Sequence, residues 1–228
     1  MDRAAGRCYS ISAEAAAIGV KFKVALIHDI HRVRHELPEL EARKEEVVHR
    51  ASAVDLEANP ILAGYRTLFE RVGAPAAVAS PELLLRLALE KGALPKVNSV
   101  VDAYNAVSLE TLMVVSAHDL DCIEGNARLV MTSGNEVFHP LRSPEAVTLP
   151  AGQWAGVVDN HVLCQMNCKQ SELSKVTTRT KNLLIYVQGN PATTDEDVNA
   201  ALDAVCREIV HFNGGEVERL PLCSPTDG

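Results

Sequence analysis

Apolar positions along the chain follow two different periods, and the change between them divides it. In "IGVKFKVALI", Ile18, Val20, Phe22, Val24 and Leu26 alternate with their neighbours, the pattern of a strand with one buried face. The following "ELPELEARKEEVVHRASAV" is charged and rich in helix formers, which predicts a surface helix over residues 36–53. Asn59 and Pro60 read as the N-cap and first position of a helix that runs through Val72 to Gly73. Ser80 and Pro81 open another, which Gly92 closes. Beyond Pro95, Val100, Val101, Tyr104 and Val107 keep helical spacing behind Asn98 or Ser99 as the cap. Then "LMVVSA", "ARLVM", "NEVFHPL", "AGVVDNHVLC" and "NLLIYVQG", parted by Gly, Asn, Asp and Pro, predict that residues 112–189 are mostly sheet. A last helix has capping-box spacing at Thr193 and Glu196 and an apolar face of Val198, Leu202, Val205, Ile209 and Val210. Gly214 and Gly215 stop it, and "CSPTDG" reads as a loose tail. The predicted class is α+β, mixed helix and sheet with helices on the outside; one large domain is within reach, and two tightly joined subdomains stay open.

Composition changes this picture little. With 228 residues, 47% of them hydrophobic, the chain can bury a substantial core. No run approaches the ~18 consecutive apolar residues of a membrane span, and the N-terminus has no apolar segment behind a basic one, so a soluble, unsecreted, cytoplasmic protein is expected. Six cysteines are too sparse for a disulfide scaffold, and in that setting they stay reduced. Cys164 and Cys168, with His161 nearby, fall short of a four-ligand zinc set and read as packed thiols. His28, His31 and His35 share a face only if the first helix starts that early, and no carboxylate or cysteine stands at matching spacing, so they read as solvated or hydrogen-bonded side chains. No metal and no other cofactor is expected.

A net charge of −8 argues against a surface that grips nucleic acid by bulk attraction to phosphates. In "CKQSELSKVTTRTKN", Lys169, Lys175, Arg179 and Lys181 form a local basic segment, which charge alone reads as an exposed loop.

The stretch "VNSVVDAYNAVSLETLMVVSAHDLDCIEG" sets polar residues among apolar ones. Asp102 and Asn105 are three apart on the helix, with Asn98, Ser99 and His118 flanking it. Buried polar groups of this kind either bond the backbone of adjacent loops or present donors and acceptors to a ligand, and the residues themselves leave both open.

That stretch, followed by "NEVFHPL" and "SELSKVTTRTKNLLIYVQG", resembles the B3/B4 domain, the editing domain of the phenylalanyl-tRNA synthetase beta chain, over roughly residues 60–190. The segments before it and the C-terminal helix resemble those of free-standing relatives. The resemblance implies a B3/B4 fold, layered mixed β-sheets flanked by helices in a single domain over residues 1–228, and hydrolysis of the ester that joins a wrong amino acid to the 3′-terminal adenosine of a tRNA; in the synthetase, tyrosine is removed from phenylalanine tRNA. Carried over by motif, the catalytic residues are His118 and Glu172, the latter found by counting back from Thr180 and Asn182. Asn98, Ser99, Asn105, Thr178 and Thr180 are the implied substrate-binding residues. Lys96, standing where the family has an arginine, joins Lys169, Lys175, Arg179 and Lys181 as the implied contacts to the tRNA. Such an ester is already activated, so an oriented water and preset hydrogen-bond donors suffice. The implied activity is trans-editing by an aminoacyl-tRNA deacylase. A binding module of the same fold that leaves the ester intact is the alternative, and a hydrolase of other small esters is a third reading.

Overall fold

The structure is a computed structural model that describes residues 7–31, 33–159, 161–166 and 168–223. Its elements follow in chain order: β1 (Tyr9–Ile11), α1 (Ala13–Ala17), β2 (Lys21–His28), α2 (Pro38–Ala51), α3 (Pro60–Arg71), α4 (Ser80–Lys91), α5 (Ser99–Thr111) and β3 (Val114–Asp119). A 3₁₀ turn at Leu120–Cys122 leads to β4 (Ala127–Met131), β5 (Val137–Phe138), β6 (Val147–Thr148), β7 (Trp154–Val158), β8 (His161–Gln165), β9 (Lys169–Gln170) and β10 (Leu183–Gly189). The chain then forms α6 (Asp195–Asn213) and β11 (Glu216–Arg219).

Two sheets are stacked, with α5 and α6 on the outer face of one and side chains of α1 and α3 in the core between them. The four-stranded sheet has the order β11-β2-β10-β3 and is antiparallel throughout. The five-stranded sheet has the order β1-β4-β7-β8-β9, with β1 parallel to β4. Alternation along the strands assigns the layers. Phe22, Val24 and Leu26 of β2, with Leu184 and Tyr186 of β10, join Leu129, Trp154 and Leu163 of the other sheet in one core, where Phe69 of α3 stacks on Trp154 at 5.5 Å. The intervening Ala25, Ile27, Leu183, Ile185 and Val187 face α5 and α6. The short β5–β6 ribbon covers the far face of the five-stranded sheet through Phe138 and Leu149. This is the expected layered α+β class.

Local signals placed the helices well. Asn59 caps α3 through Ile61 N and Leu62 N, Asn98 caps α5, and Gly92 closes α4 in the left-handed region. Gly64 is needed inside α3, because a Cβ there would come within 2.1 Å of Asn190 Oδ1. Within the expected sheet region, "AGVVDNHVLC" forms a hairpin of β7 and β8, turned at Asp159 with φ of 47°. Other expectations are corrected. The capping box lies one residue later, at Thr194 and Asp197, because the Thr193 hydroxyl is committed to the Asn190 turn. His28, His31 and His35 share no helix face, since α2 begins only at Pro38. His28 meets Glu218 at 3.0 Å, while the ring of His35 reaches Val97 O at 3.4 Å.

The ends of the chain meet. Tyr9 N donates to Pro221 O, Cys223 N donates to Tyr9 O, and Cys8 is disulfide-bonded to Cys223 with Cα atoms 5.9 Å apart. The expectation that all six cysteines stay reduced is therefore corrected for this pair. Of the expected loose tail, Cys223 is held and residues 224–228 lie outside the described residues. The bond closes a loop with a sequence separation of 215. Cys223→Ser, or added reductant, is expected to lower stability by about 2–4 kcal/mol, with no further effect of reductant on the variant. Thermal melting with and without dithiothreitol measures this, and an unchanged wild-type melting temperature would contradict it.

Candidate functional site

The edge strand β3 carries the polar stretch into the layer between the sheets. Its residues alternate: Val115 and Ala117 turn toward the helices, and Val114 turns to the inter-sheet core. Ser116 and His118 share the face of Val114. His118 is fully buried and stacks on Tyr186, with ring centroids 5.6 Å apart. Both of its nitrogens are bonded, Nε2 to Ser116 Oγ at 3.1 Å and Nδ1 to Ser174 Oγ at 2.9 Å. Ser174 Oγ also lies 3.1 Å from His161 Nε2, which in turn lies 3.2 Å from Ser171 Oγ. A continuous chain of hydroxyls and imidazoles thus runs from the buried edge of β3 to β8. Burial, reinforced by His161, holds His118 down to about 3, and burial with the neighbouring His139 lowers His161 as well. Both rings are therefore neutral at pH 7.

The loop that supplies Ser171 and Ser174 is pinned on both sides. Asp119 N donates to Ser174 O at 2.8 Å, and Ser171 forms an antiparallel bridge with Pro140. Glu172 N donates to His139 O at 2.8 Å. As a result His139, His161 and Ser171, with Val137, Val162 and Leu173, line a cavity of about 160 Å³. It shares Val137 and Val162 with an adjoining recess of about 570 Å³ that contains Arg128, Asn135, Glu136 and Asp159.

The residues singled out from sequence occupy several places. Asn98 is spent as the α5 cap, accepting from Val100 N and Val101 N. Ser99 accepts from Arg34 N and donates to Asn213 Oδ1. Asn105 lines a separate cavity of about 300 Å³ with Tyr104, Ser108, Gln170, Leu84 and Leu87. Thr180 is buried, accepting from Thr177 N and donating to Asp119 Oδ2 at 2.6 Å, whereas Thr178 is exposed beside His35 and Glu36. The Glu172 carboxylate accepts from Arg142 N at 3.0 Å and pairs with Lys175, and these two contacts, Lys175 first, hold it below the usual carboxylate range. Among the cations, Lys96 pairs with Glu36 at 3.2 Å and Lys181 donates to His31 O, while Lys169 and Arg179 are exposed. His118, Asn98 and Glu172 do not open onto one shared hollow: the first is sealed, the second is a cap and the third is on the surface. His118 and Glu172 do flank the same Ser171–Ser174 loop, one from inside and one from outside. His139, His161, Ser171 and Ser174 were not singled out from sequence as site residues, and only the serine spacing in "SELS" hinted at them.

Among the described residues no three His, Cys, Asp or Glu side chains gather as a metal site, and no helix is long and apolar enough to cross a membrane. Cys164 and Cys168 are not disulfide-bonded and lie in or beside the inter-sheet core.

Comparison with known proteins sets this geometry in context. A search of curated proteins finds no match. Among solved structures, the chain is similar to an N-terminal fragment of the phenylalanyl-tRNA synthetase beta-subunit from Pyrococcus horikoshii, with a TM-score of 0.56 and 16% identity. The similarity covers 96% of this chain and 52% of the other, so the chain spans about half of that fragment, and at this identity the likeness is one of fold. The family model of the B3/4 domain matches residues 65–210, from the middle of α3 to the last turn of α6, and takes in β3, the His161 hairpin and the Ser171–Ser174 loop. On that match, which runs over more than half of its length, the chain belongs to the B3/4 domain family.

Proposed function

We propose that the chain is a trans-acting aminoacyl-tRNA deacylase, which hydrolyses the ester between a mischarged amino acid and the 3′-terminal adenosine. The observation that carries this reading is membership of the B3/4 family combined with the fold of a synthetase beta-subunit fragment over nearly the whole chain. In this reading the acyl group approaches the Ser171–Ser174 loop. Glu172, kept ionised by Lys175 and Arg142 N, meets a donor on the amino acid, and His118 acts from behind the loop through Ser174. Asn105 presents its amide to a second part of the substrate and Thr178 its hydroxyl; Thr180, bonded to Asp119 and Thr177 N, keeps the threonine-rich turn in place, and Asn98 and Ser99 hold the helix mouth. Lys169 and Arg179, with Lys96, Lys175 and Lys181, steer the phosphates of the single-stranded end. The setting is the cytoplasm, with the translation machinery.

A second reading, binding of a tRNA end, an amino acid or a nucleoside without hydrolysis, is favoured by one observation: His118 has both nitrogens occupied and no exposed surface.

Incubation with a panel of mischarged tRNAs separates the two. Release of free amino acid is expected from at least one, and Glu172→Ala is expected to slow it roughly 10–100-fold through lost substrate positioning. Saturable binding with the ester intact across the panel would establish the second reading instead.

A further inference from the structure

The cavity that Asn105 lines differs in character from the imidazole cluster. Leu83, Leu84 and Leu87 of α4, with Pro95 and with Val115 of β3, give it apolar walls, and no charged side chain lines its volume of about 300 Å³. A phosphate, an ammonium or a carboxylate would lose its water there without compensation, so the cavity suits a neutral group. Its size lies at the lower end of the ~300–1,000 Å³ of small-molecule sites, which suits one ring system. Most of its polar groups are already committed. Ser108 Oγ donates to Met113 O at 2.6 Å, and the Tyr104 hydroxyl is hydrogen-bonded to the Gln170 side chain. Of the two that are not, Ser80 offers a single hydroxyl. Asn105 offers an amide: half-buried, it makes no hydrogen bond among the described residues, so a donor and an acceptor stand side by side at the cavity wall.

An apolar amino-acid side chain would leave both halves of that amide unmet, whereas the edge of a nucleobase meets both. Adenine sets its N6 donor beside a ring-nitrogen acceptor, the pattern with which an asparagine amide pairs twice. We propose that this cavity seats the adenine of the 3′-terminal nucleotide, with Asn105 reading the N6 edge and the leucines of α4 covering the ring. This deepens the deacylase reading and rests on it for the choice of adenine among the bases. The position of the cavity agrees with that role. Gln170 lines it, and the next residue, Ser171, lines the smaller cavity of His139 and His161. Successive side chains of an extended segment point to opposite sides, so a base on one side of this segment leaves its ribose ester close to the Ser171–Ser174 loop on the other. Lys169, exposed and next to Gln170, supplies a cation for the phosphate that the cavity itself excludes.

The test is titration of the full chain with adenosine, read by calorimetry and by methyl spectra of leucine-labelled protein. Saturable binding that shifts the Leu84 and Leu87 methyl groups is expected. N6,N6-dimethyladenosine, which lacks the N6 donor, should bind at least about 10-fold more weakly. Asn105→Leu should weaken adenosine by a similar factor and lose the discrimination between the two nucleosides. No adenosine binding, shifts confined to other leucines, or equal affinity of wild type for both nucleosides overturns the proposal, and these arms hold even if Asn105→Leu fails to fold. Against a mischarged tRNA below saturation, Asn105→Leu releasing amino acid at the wild-type rate would overturn the adenine seat and leave the deacylase reading standing. Adenosine binding with the expected preference, but no release from any tRNA, would do the reverse.

Discussion

Acidification from pH 6.5 toward pH 3 is expected to remove roughly 4–5 kcal/mol of stability through His118 alone, a large part of the ~5–15 kcal/mol typical of a folded domain. The sign follows from the proton balance. The unfolded chain binds a proton on this histidine near its ordinary value of 6.5, while the folded chain resists until about 3, because the ring is sealed between two sheets and His161 adds to the effect of burial. The unfolded state therefore binds more protons across that window. The contribution is fully present above pH 6.5 and lost as pH falls toward 3, at about 1.4 kcal/mol per unit. His161, lowered in the same direction, adds to the slope. Carboxylates held below their usual range, such as Glu136 and Glu172, lose their share only at lower pH, while Asp102, held above its ordinary value, works in the opposite sense, so the His118 share is read from the difference between wild type and a His118 variant. His118→Gln keeps hydrogen-bonding capacity for Ser116 and Ser174 without the titration. Urea unfolding at several pH values is expected to give the variant a pH slope shallower than wild type by one proton. Equal slopes would mean that the ring charges in place without cost and that its burial is not tight.

How much of this was legible in the sequence depended on the range of the signal. The caps at Asn59 and Asn98 and the left-handed stop at Gly92 are written within four residues, and they stood where the pattern put them. Core strands such as β2 and β10 were visible because their own composition marks them. The edge strands β1 and β11 are three and four residues long and take their definition from pairing with β4 and β2, so nothing local announces them. The Cys8–Cys223 bond joins residues 215 apart and follows from that same meeting of the ends. Around the candidate site, sequence motifs brought attention to the right loop but to its flanks. His118 and Glu172 are visible as a motif and a count, whereas His161 reaches Ser171 and Ser174 only because a hairpin and the Pro140–Ser171 bridge fold the loop back over β8. The polar residues of the α5 stretch resolved toward structure: Asn98 became a cap, and Asp102 found a cation 58 positions earlier.

That cation gives the second large effect. Lys44 of α2 is 4% exposed, and its Nζ lies 3.1 Å from Asp102 Oδ2 and 3.2 Å from Glu41 Oε1; Asp102, 1% exposed, also accepts from Val97 N at 2.9 Å. Burial drives the Asp102 carboxyl above its ordinary value, and the Val97 N–H and Lys44 oppose that drive. Lys44→Met keeps most of the apolar stem against α5 but withdraws the ammonium, leaving a buried carboxylate with one backbone donor. The expected cost is roughly 3–5 kcal/mol at pH 7. Adding Asp102→Asn removes the stranded charge while its side-chain oxygen still accepts from Val97 N, so the double variant is expected to be more stable than Lys44→Met alone, the coupling that a double-mutant cycle isolates. The pH dependence runs opposite to that of His118. Without Lys44 the folded-state pKa of Asp102 rises further above its unfolded value, the folded state binds the extra proton, and the penalty shrinks as pH falls through the raised value. Denaturant titrations of Lys44→Met, Asp102→Asn and the double variant at pH 7 and pH 5 measure both terms. A Lys44→Met cost below about 1 kcal/mol, or a double variant no more stable than the single one, would show that Asp102 reaches water or another donor and that α2 is not anchored to α5 by this pair.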